Sequence, residues 1–306
     1  MNLEPINQIK LYGLTKSLDE LFHLYDLNKL PSKILLSGQK GIGKCTLAYH
    51  LINYVLSHEE DNAYDKNTYQ INIKNRSFKL VKNGTSSNFN LIDVKPEKKS
   101  VDVSQIRDLI NLMNKSSFNN KPRFILIDNI EYLNLNSINA LLKFLEEPNQ
   151  NVYFILIHNN SKILKTLKSR CLPFKLFLTN KESCDITKKI FQTDISNKIN
   201  LELINYYFTP GNIVKLVDFF DKSNFKLKDL RLKELLELII KEKIYKNNLH
   251  IKLMLYEFIE FFLVRSSFST KNLYYNYFIN QIDNLKKFNL DEDSFYIEFK
   301  SKILNG

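Results

Sequence analysis

Apolar residues follow two patterns along this chain, short continuous runs in the first half and helical spacing in the second. Continuous runs at 34–36, 124–127 and 152–157 are bounded by polar residues, which is typical of strands buried on both faces of a sheet. Apolar positions three and four residues apart predict amphipathic helices at 103–113 and 136–147. Buried strands that alternate with helices predict an α/β domain with a parallel sheet.

Weaker patterns complete the first half of the chain. Residues 91–94 and 172–178 predict two further strands, and 47–56 predict a helix directly after a glycine-rich turn. Residues 58–90 are polar and weakly periodic, and the run Asn83-Gly84-Thr-Ser-Ser is typical of turns. This polar part of the chain therefore predicts loops.

The pattern becomes helical from residue 181 onward. Three helices are predicted before residue 221, marked by Ile186 and Ile190, by 201–208 and by 212–220. Thr209-Pro210-Gly211 separates the last two, because proline and glycine both interrupt helices.

Chain length sets the expected number of domains. The chain has 306 residues, of which 44% are hydrophobic, enough for two or three compact cores. The polar run 221–224 predicts a linker, and 225–306 keeps apolar and aromatic residues at helical spacing. We predict an α/β domain at 1–179, a small helical segment at 180–222 and an all-helical domain at 223–306.

Composition and the first residues exclude several classes of protein. The apolar runs are far shorter than the roughly 20 residues that span a bilayer. The start, Met1-Asn-Leu-Glu-Pro, lacks the basic and then apolar pattern of a secretory signal. The cysteines Cys45, Cys171 and Cys184 have no metal-ligand spacing and are too few for a disulfide framework. We expect a reduced, cytoplasmic protein without a bound metal.

The net charge of +11 suits an anionic partner such as DNA. Lysine and asparagine are abundant throughout the chain, however, as in proteins encoded by AT-rich genomes. The charge alone therefore leaves open whether the chain touches DNA directly.

The segment between the first strand and its helix has the pattern of a phosphate-binding loop. It reads Gly38-Gln-Lys-Gly41-Ile-Gly43-Lys44-Cys45-Thr46, in the strand–turn–helix context that such a loop requires. The glycines let backbone amides face phosphates, and the helix N-terminus adds its positive end. Lys44 is expected to reach the phosphates as a point charge.

One position departs from this pattern. The residue after the lysine normally offers a hydroxyl to Mg²⁺, and here it is Cys45. A thiol is a poor ligand for a hard cation that prefers oxygen. Thr46 points about 100° away on the helix and cannot simply substitute. The sequence predicts nucleotide binding with weak Mg²⁺ coordination.

Asp128 is the second candidate for the nucleotide site. It follows the buried run 124–127, where P-loop ATPases place a carboxylate that holds Mg²⁺, directly or through water. The next residue in active ATPases is a glutamate that polarises water, but Asn129 stands here. Glu131, two residues further on, is expected to face elsewhere.

Two more motifs follow in order. Residues 139–148 read Asn-Ala-Leu-Leu-Lys-Phe-Leu-Glu-Glu-Pro, and Ser169-Arg170-Cys171 comes after the predicted strand 152–157. With the glycine-rich loop, these motifs resemble the AAA+ module of bacterial DNA polymerase III clamp loader subunits. The resemblance covers roughly residues 1–220.

The resemblance implies a fold and a set of partners. The fold would be a P-loop α/β (AAA+) domain, a small helical lid and an all-helical C-terminal collar that holds five subunits in a ring. The partners would be delta-type and gamma/tau-type subunits of the same clamp loader. The sliding clamp and primed DNA would be reached through that complex.

The resemblance also implies roles for residues. In the family the arginine that corresponds to Arg170 points into the ATP site of a neighbouring subunit. The "sensor 1" position falls on Ile157 or His158, and the "sensor 2" arginine is replaced by Asn212, with Lys215 the nearest base. Several relatives carry a four-cysteine zinc module after the P-loop helix. No cysteine lies there in this chain, so we predict no zinc.

Three ATPase positions are altered (Cys45, Asn129 and Asn212), while Arg170 is retained. This combination is similar to a family member that acts mainly as a rigid partner, within a DNA polymerase complex, with weak or absent ATPase of its own. Two alternatives stay open: an ATP-hydrolysing motor subunit of the same clamp loader, and an unrelated P-loop enzyme such as a kinase.

Overall fold

A computed structural model describes residues 4–94, 100–113, 119–146, 151–159, 164–205, 208–223, 225–266, 272–288 and 290–305. The chain divides into two compact units. The first is Met1–Ile186 with Thr209–Gly211, and the second is Thr187–Phe208 with Asn212–Gly306. The three-domain division given above stays a prediction.

Among the described residues of the first unit, five parallel strands form a sheet in the order β2-β3-β4-β1-β5. The strands are β1 (Lys33–Ser37), β2 (Phe89–Ile92), β3 (Arg123–Ile127), β4 (Val152–His158) and β5 (Leu172–Lys175). All five predicted strands are therefore present, although β2 begins two residues earlier and β5 ends three residues earlier than predicted. The predicted α/β fold is confirmed.

The buried strands contribute side chains to two hydrophobic cores, one on each face of the sheet. In β1, Ile34 and Leu36 belong to the core that contains residues of α1 (Thr15–Asp26) and α2 (Lys44–Leu56). Leu35, between them, belongs to the opposite core. Successive side chains of a strand point to opposite faces, so a continuous apolar run serves both. Each fully buried leucine contributes roughly 1.5–3 kcal/mol of transfer free energy.

Helices cover both faces of this sheet. The remaining helices that begin in the first unit are α3 (Arg76–Lys82), α4 (Val103–Met113), α5 (Leu135–Glu146), α6 (Lys165–Lys168) and α7 (Asn180–Phe191). Ile106 and Leu109 of α4 and Leu141 and Leu145 of α5 belong to the same core as Leu35. The predicted spacing of both helices therefore marks their buried faces.

Hydrogen bonds and tyrosine side chains connect residues 57–66, which follow α2, to α1 and α2. The hydroxyl of Tyr64 lies 2.8 Å from Nδ1 of His50, and the backbone N–H of Tyr64 donates to the Ser57 hydroxyl. Tyr54 and Lys66 both donate to the Asp26 carboxylate. These contacts hold residues 57–66 against α1 and α2.

The second unit is helical in its described part. Most of α8 (Pro210–Lys222) belongs to this unit, although its first two residues belong to the first unit. The helices that follow are α9 (Leu232–Lys241), α10 (Ile244–Asn247), α11 (Leu249–Ser266), α12 (Asn272–Phe288) and α13 (Glu292–Phe299), with a π-helical turn at Lys300–Leu304. Phe278 of α12 packs edge-on against Phe299 of α13, with ring centroids 5.3 Å apart. The predicted all-helical C-terminal part is confirmed. No helix in the described part of the chain is long and apolar enough to cross a membrane.

Two predictions about elements are wrong. The helix predicted at 201–208 is only a 3₁₀ turn at Leu201–Leu203, with residues 206–207 outside the described residues. The Asn200 side chain caps that turn, and Thr209 is disfavoured in a helix because it precedes Pro210. The loop predicted at 58–90 contains α3, which the Asn75 side chain caps at the Phe78 N–H.

Candidate functional site

The glycine-rich loop joins β1 to α2 with a backbone that needs its glycines. Gly41 and Gly43 have φ of 87° and 97°, where other residues are strained. A Cβ on Gly38 would lie 2.3 Å from the Leu176 carbonyl oxygen, so the backbone passes too close for a side chain. A Cβ on Gly43 would meet no atom within 4 Å, which leaves open space at the start of α2.

Lys44 turns back onto its own loop. Its ammonium donates to the carbonyl oxygens of Gly38 at 2.9 Å and Gln39 at 2.6 Å, and the residue is only 4% exposed. Burial lowers the pKa of Lys44 to about 8, although the nearby carboxylates of Asp128 and Glu131 act in the opposite direction. The Lys44 ammonium is therefore held within the glycine-rich loop by hydrogen bonds to two of its carbonyl groups.

Cys45 and Asp128 meet beside this lysine. The Cys45 thiol donates a hydrogen bond to the Asp128 carboxylate. Burial, together with the Asp128 charge, raises the pKa of the thiol well above its usual value. Burial and the nearby Asp93 raise the pKa of Asp128. A neutral thiol thus lies beside Asp128, at the position where the pattern would place a hydroxyl ligand of Mg²⁺. Thr46, the next residue of α2, is half-buried.

A chain of polar side chains crosses the carboxyl ends of three strands. Asn129, after β3, donates from its amide to Asp93, after β2, at 3.0 Å. Asn159, after β4, donates to the Asn129 oxygen at 2.9 Å and to Glu131 at 2.7 Å. Parallel strands bring their carboxyl ends to one edge, which is where open α/β sheets place their ligands.

This network corrects one expectation and refines another. Glu131 was expected to face elsewhere, but it contacts Asn159 and influences the charge of Lys44. The 3₁₀ turn Ile130–Tyr132 after β3 brings it back over the strand ends. Asn159 is the side chain that reaches the site from β4, one residue after His158, which lies within the strand. The polar pair His158-Asn159 after the apolar run 152–157 was the signal available in the sequence.

Thr209–Gly211, the turn in which α8 begins, lies against the glycine-rich loop. The Thr209 hydroxyl donates to the Lys40 carbonyl at 2.9 Å, and the Gly211 N–H donates to the Gly41 carbonyl at 2.9 Å. A Cβ on Gly211 would lie 2.8 Å from backbone atoms of Gly41. Two carbonyl groups of the loop are thereby satisfied by the turn, and only glycine fits this approach.

Arg170 lies at the other end of the sheet. It precedes β5, whose first residue, Leu172, pairs with Ile34 near the start of β1. The glycine-rich loop leaves the opposite end of β1, four residues after Ile34, which is about 13 Å away at about 3.3 Å per residue. The Arg170 guanidinium donates to the Thr166 carbonyl and to the Glu146 carboxylate, and its side chain is 33% exposed. The structure therefore separates Arg170 from the nucleotide-site candidates of its own chain.

No group of three or more His, Cys, Asp and Glu side chains is placed to hold a metal ion within the described ranges. Asn212 and Lys215, the candidates at the "sensor 2" position, lie in α8 within the second unit.

Comparisons with known proteins agree with these motifs. A family model described as DNA polymerase III, delta subunit, matches residues 13–180, more than half of the chain. DNA polymerase III subunit delta' of Buchnera aphidicola subsp. Baizongia pistaciae is 28% identical over 207 residues, 67% of this chain and 59% of that protein. The Pseudomonas aeruginosa subunit delta' is 32% identical over 139 residues, 45% of this chain and 40% of that protein. The matched part is thus less than two thirds of either relative.

A solved structure of a gamma subunit-related DNA polymerase III protein from Thermotoga maritima aligns over 94% of this chain and 92% of that chain, with 17% identity and a TM-score of 0.43. The chain belongs to the DNA polymerase III delta subunit family, in which its sequence relatives include several proteins named subunit delta'.

Proposed function

We propose that this chain is the delta-prime subunit of a DNA polymerase III clamp loader. It helps to assemble the ring of subunits, supplies Arg170 to the ATP site of a neighbouring subunit, and so supports loading of the sliding clamp onto primed DNA. The observation that carries this proposal is the position of Arg170 at the end of the sheet opposite its own glycine-rich loop. An arginine in that place serves no phosphate bound to its own chain.

The chemistry of Arg170 suits a role in trans. A guanidinium is planar, permanently charged and forked, which matches the oxygens of a phosphoryl group. Such an arginine stabilises the charge that develops as the γ-phosphoryl group is transferred. The partly exposed side chain of Arg170 is accessible to a neighbour without unfolding of the chain.

We further propose that the chain binds ATP at its own loop. The loop glycines Gly38, Gly41 and Gly43 would wrap the phosphates, with Lys44 as the cation and Cys45, Thr46 and Asp128 beside them. The positive φ angles of Gly41 and Gly43 and the open space above Gly43 support this. Lys44 would exchange its two carbonyl partners for phosphate oxygens. The bond between Cys45 and Asp128 supports weak Mg²⁺ coordination.

Hydrolysis by this chain is proposed to be weak or absent. Asn129 stands where a glutamate would polarise water, and its amide is committed to Asp93 and Asn159. Loss of a positioned general base costs typically 10²–10⁴-fold in rate. One observation favours the alternative of a motor subunit: the Glu131 carboxylate lies close enough to influence Lys44.

The remaining organisation is proposed from family membership. Residues 1–179 would form the AAA+ domain, 180–222 the lid and 223–306 the collar, in a cytoplasmic hetero-pentamer with delta-type and gamma/tau-type subunits. The helical second unit and its buried aromatic packing support a collar.

The test is the DNA-stimulated ATPase of the reconstituted complex. Arg170→Ala should lower turnover and clamp loading only in part, because only one ATP site loses its arginine. Where an arginine finger is the sole such group it is worth 10³–10⁵ in rate. Arg170→Lys should rescue poorly, because an ammonium lacks the forked geometry.

The matched control is Arg107→Ala, which removes an exposed arginine from α4. Assembly and melting temperature should be unchanged in both variants. Unchanged turnover with Arg170→Ala would overturn the trans-acting role. Steady turnover above about 1 per second by the isolated chain would favour the motor subunit instead.

A further inference from the structure

We propose that Glu146 is a positioning residue for Arg170, which holds the guanidinium in the orientation in which it meets the neighbouring subunit's ATP. This inference rests on the proposed function and assigns a task to a side chain in the motif before Arg170. It follows from the contacts that the guanidinium makes within its own chain.

Two supports hold the guanidinium at separate points. Nη2 of Arg170 donates to Oε1 of Glu146 at 2.5 Å, and Nη1 donates to the carbonyl oxygen of Thr166 at 2.9 Å. A guanidinium is rigid and planar, so two contacts on different nitrogens fix its plane as well as its place. Arg170 is thereby pre-oriented before any neighbour arrives.

The same two contacts leave donors for a phosphate. A guanidinium carries five N–H groups, and the other three have no partner among the residues that the structure describes. Glu146 is 53% and Arg170 33% exposed along the side chain, so the pair lies on the surface rather than in the core. The arrangement therefore holds Arg170 without covering it.

The location of Glu146 fits a role outside helix stability. It lies in the last described turn of α5, two residues before Pro148 in the sequence, and a negative charge is disfavoured towards the C-terminal end of a helix. The Arg170 guanidinium offsets that charge, and Thr166, the second contact of the guanidinium, lies in α6. Glu146 therefore contributes to the orientation of Arg170 rather than to the stability of α5.

Glu146 has two opposing effects on a neighbour's phosphate. Its negative charge reduces the attraction between the Arg170 guanidinium and the phosphate. Its hydrogen bond restricts the rotamers of Arg170 before binding, so less side-chain entropy is lost when the phosphate binds. Water screens the charge of an exposed pair. The loss of rotamer freedom is not screened, so pre-orientation is the larger effect.

The test is a double-mutant cycle in the reconstituted complex. Glu146→Gln keeps the size of the side chain and removes its charge. We expect kcat at the one ATP site that Arg170 serves to fall about two- to fivefold, the scale of exposed ion pairs, so turnover of the whole complex should fall less than with Arg170→Ala. The KM for ATP and the melting temperature should hardly change. In the Arg170→Ala background, Glu146→Gln should cause no further loss. The control is Glu20→Gln, at an exposed position in α1.

The outcomes separate this inference from the proposed function. If Arg170→Ala lowers turnover but Glu146→Gln has the same effect in both backgrounds, Glu146 acts independently and the inference is overturned. An unchanged or raised turnover with Glu146→Gln alone also overturns it. If Arg170→Ala itself leaves turnover unchanged, the proposed function fails, and the positioning role fails with it.

Discussion

Nζ of Lys44 lies 2.6 Å from the carbonyl oxygen of Gln39. The ammonium group that is expected to bind phosphate is therefore hydrogen-bonded to the backbone of its own loop. Burial lowers the pKa of this ammonium to about 8. A phosphate that enters the loop must replace both carbonyl partners of Lys44. The charge of one side chain therefore governs how well the proposed nucleotide binds.

Nucleotide affinity should fall as pH rises through about 8. Above this pH the free chain loses the Lys44 proton, and the bound phosphate then meets a neutral amine. We expect the dissociation constant for ATP to rise by up to about tenfold between pH 7 and 9. Titration with a fluorescent nucleotide across this range measures the change. An equal pH dependence in Lys44→Met would show that another group is responsible.

Cys45→Ser should make nucleotide binding depend on Mg²⁺. The serine hydroxyl offers the oxygen that the cation prefers and gives up the thiol contact with Asp128. We expect Mg²⁺ to strengthen ATP binding at least about tenfold more in this variant than in the natural chain. The measurement is an ATP titration with Mg²⁺ and with EDTA. Cys184→Ser, in α7, is the control and should respond like the natural chain.

Asn159→Ala should destabilise the first unit. The change leaves the Asn129 oxygen and a Glu131 oxygen without their donor, which costs about 1–3 kcal/mol. Thermal melting should therefore shift down by several degrees. Asn136→Ala, at an exposed position of α5, is the control and should melt like the natural chain. Equal melting of both variants would mean that the network contributes nothing to stability.

Gly211→Ala should push the first turn of α8 away from the glycine-rich loop. The new Cβ would lie 2.8 Å from Gly41 Cα and O, which are backbone atoms with little freedom to move. We expect a net loss of about 1–3 kcal/mol, the usual cost of overpacking. Thr209→Val removes the bond to Lys40 without a clash and should cost less. Denaturant unfolding compares the two, and a more stable Gly211→Ala would contradict this geometry.

Much of the first unit was predictable because its signals are local. Three apolar runs marked the central strands, and the spacing of glycines around Lys44 marked the loop, since few other residues tolerate φ near 90°. The order of the motifs at 139–148 and 169–171 indicated the family, which the family model over 13–180 confirms. These features depend on neighbours in the chain.

The tertiary structure alone decided how the polar residues around the strand ends combine. The Asp93–Asn129–Asn159–Glu131 network joins residues that follow three different strands, so no spacing in the sequence announces it. The pairing of Arg170 with Glu146 spans 24 residues, and the hydrogen bond of Thr209 to the glycine-rich loop spans 169. The reason is physical: patterning reports which face of an element is buried, whereas hydrogen-bond partners are chosen by the three-dimensional distance between elements.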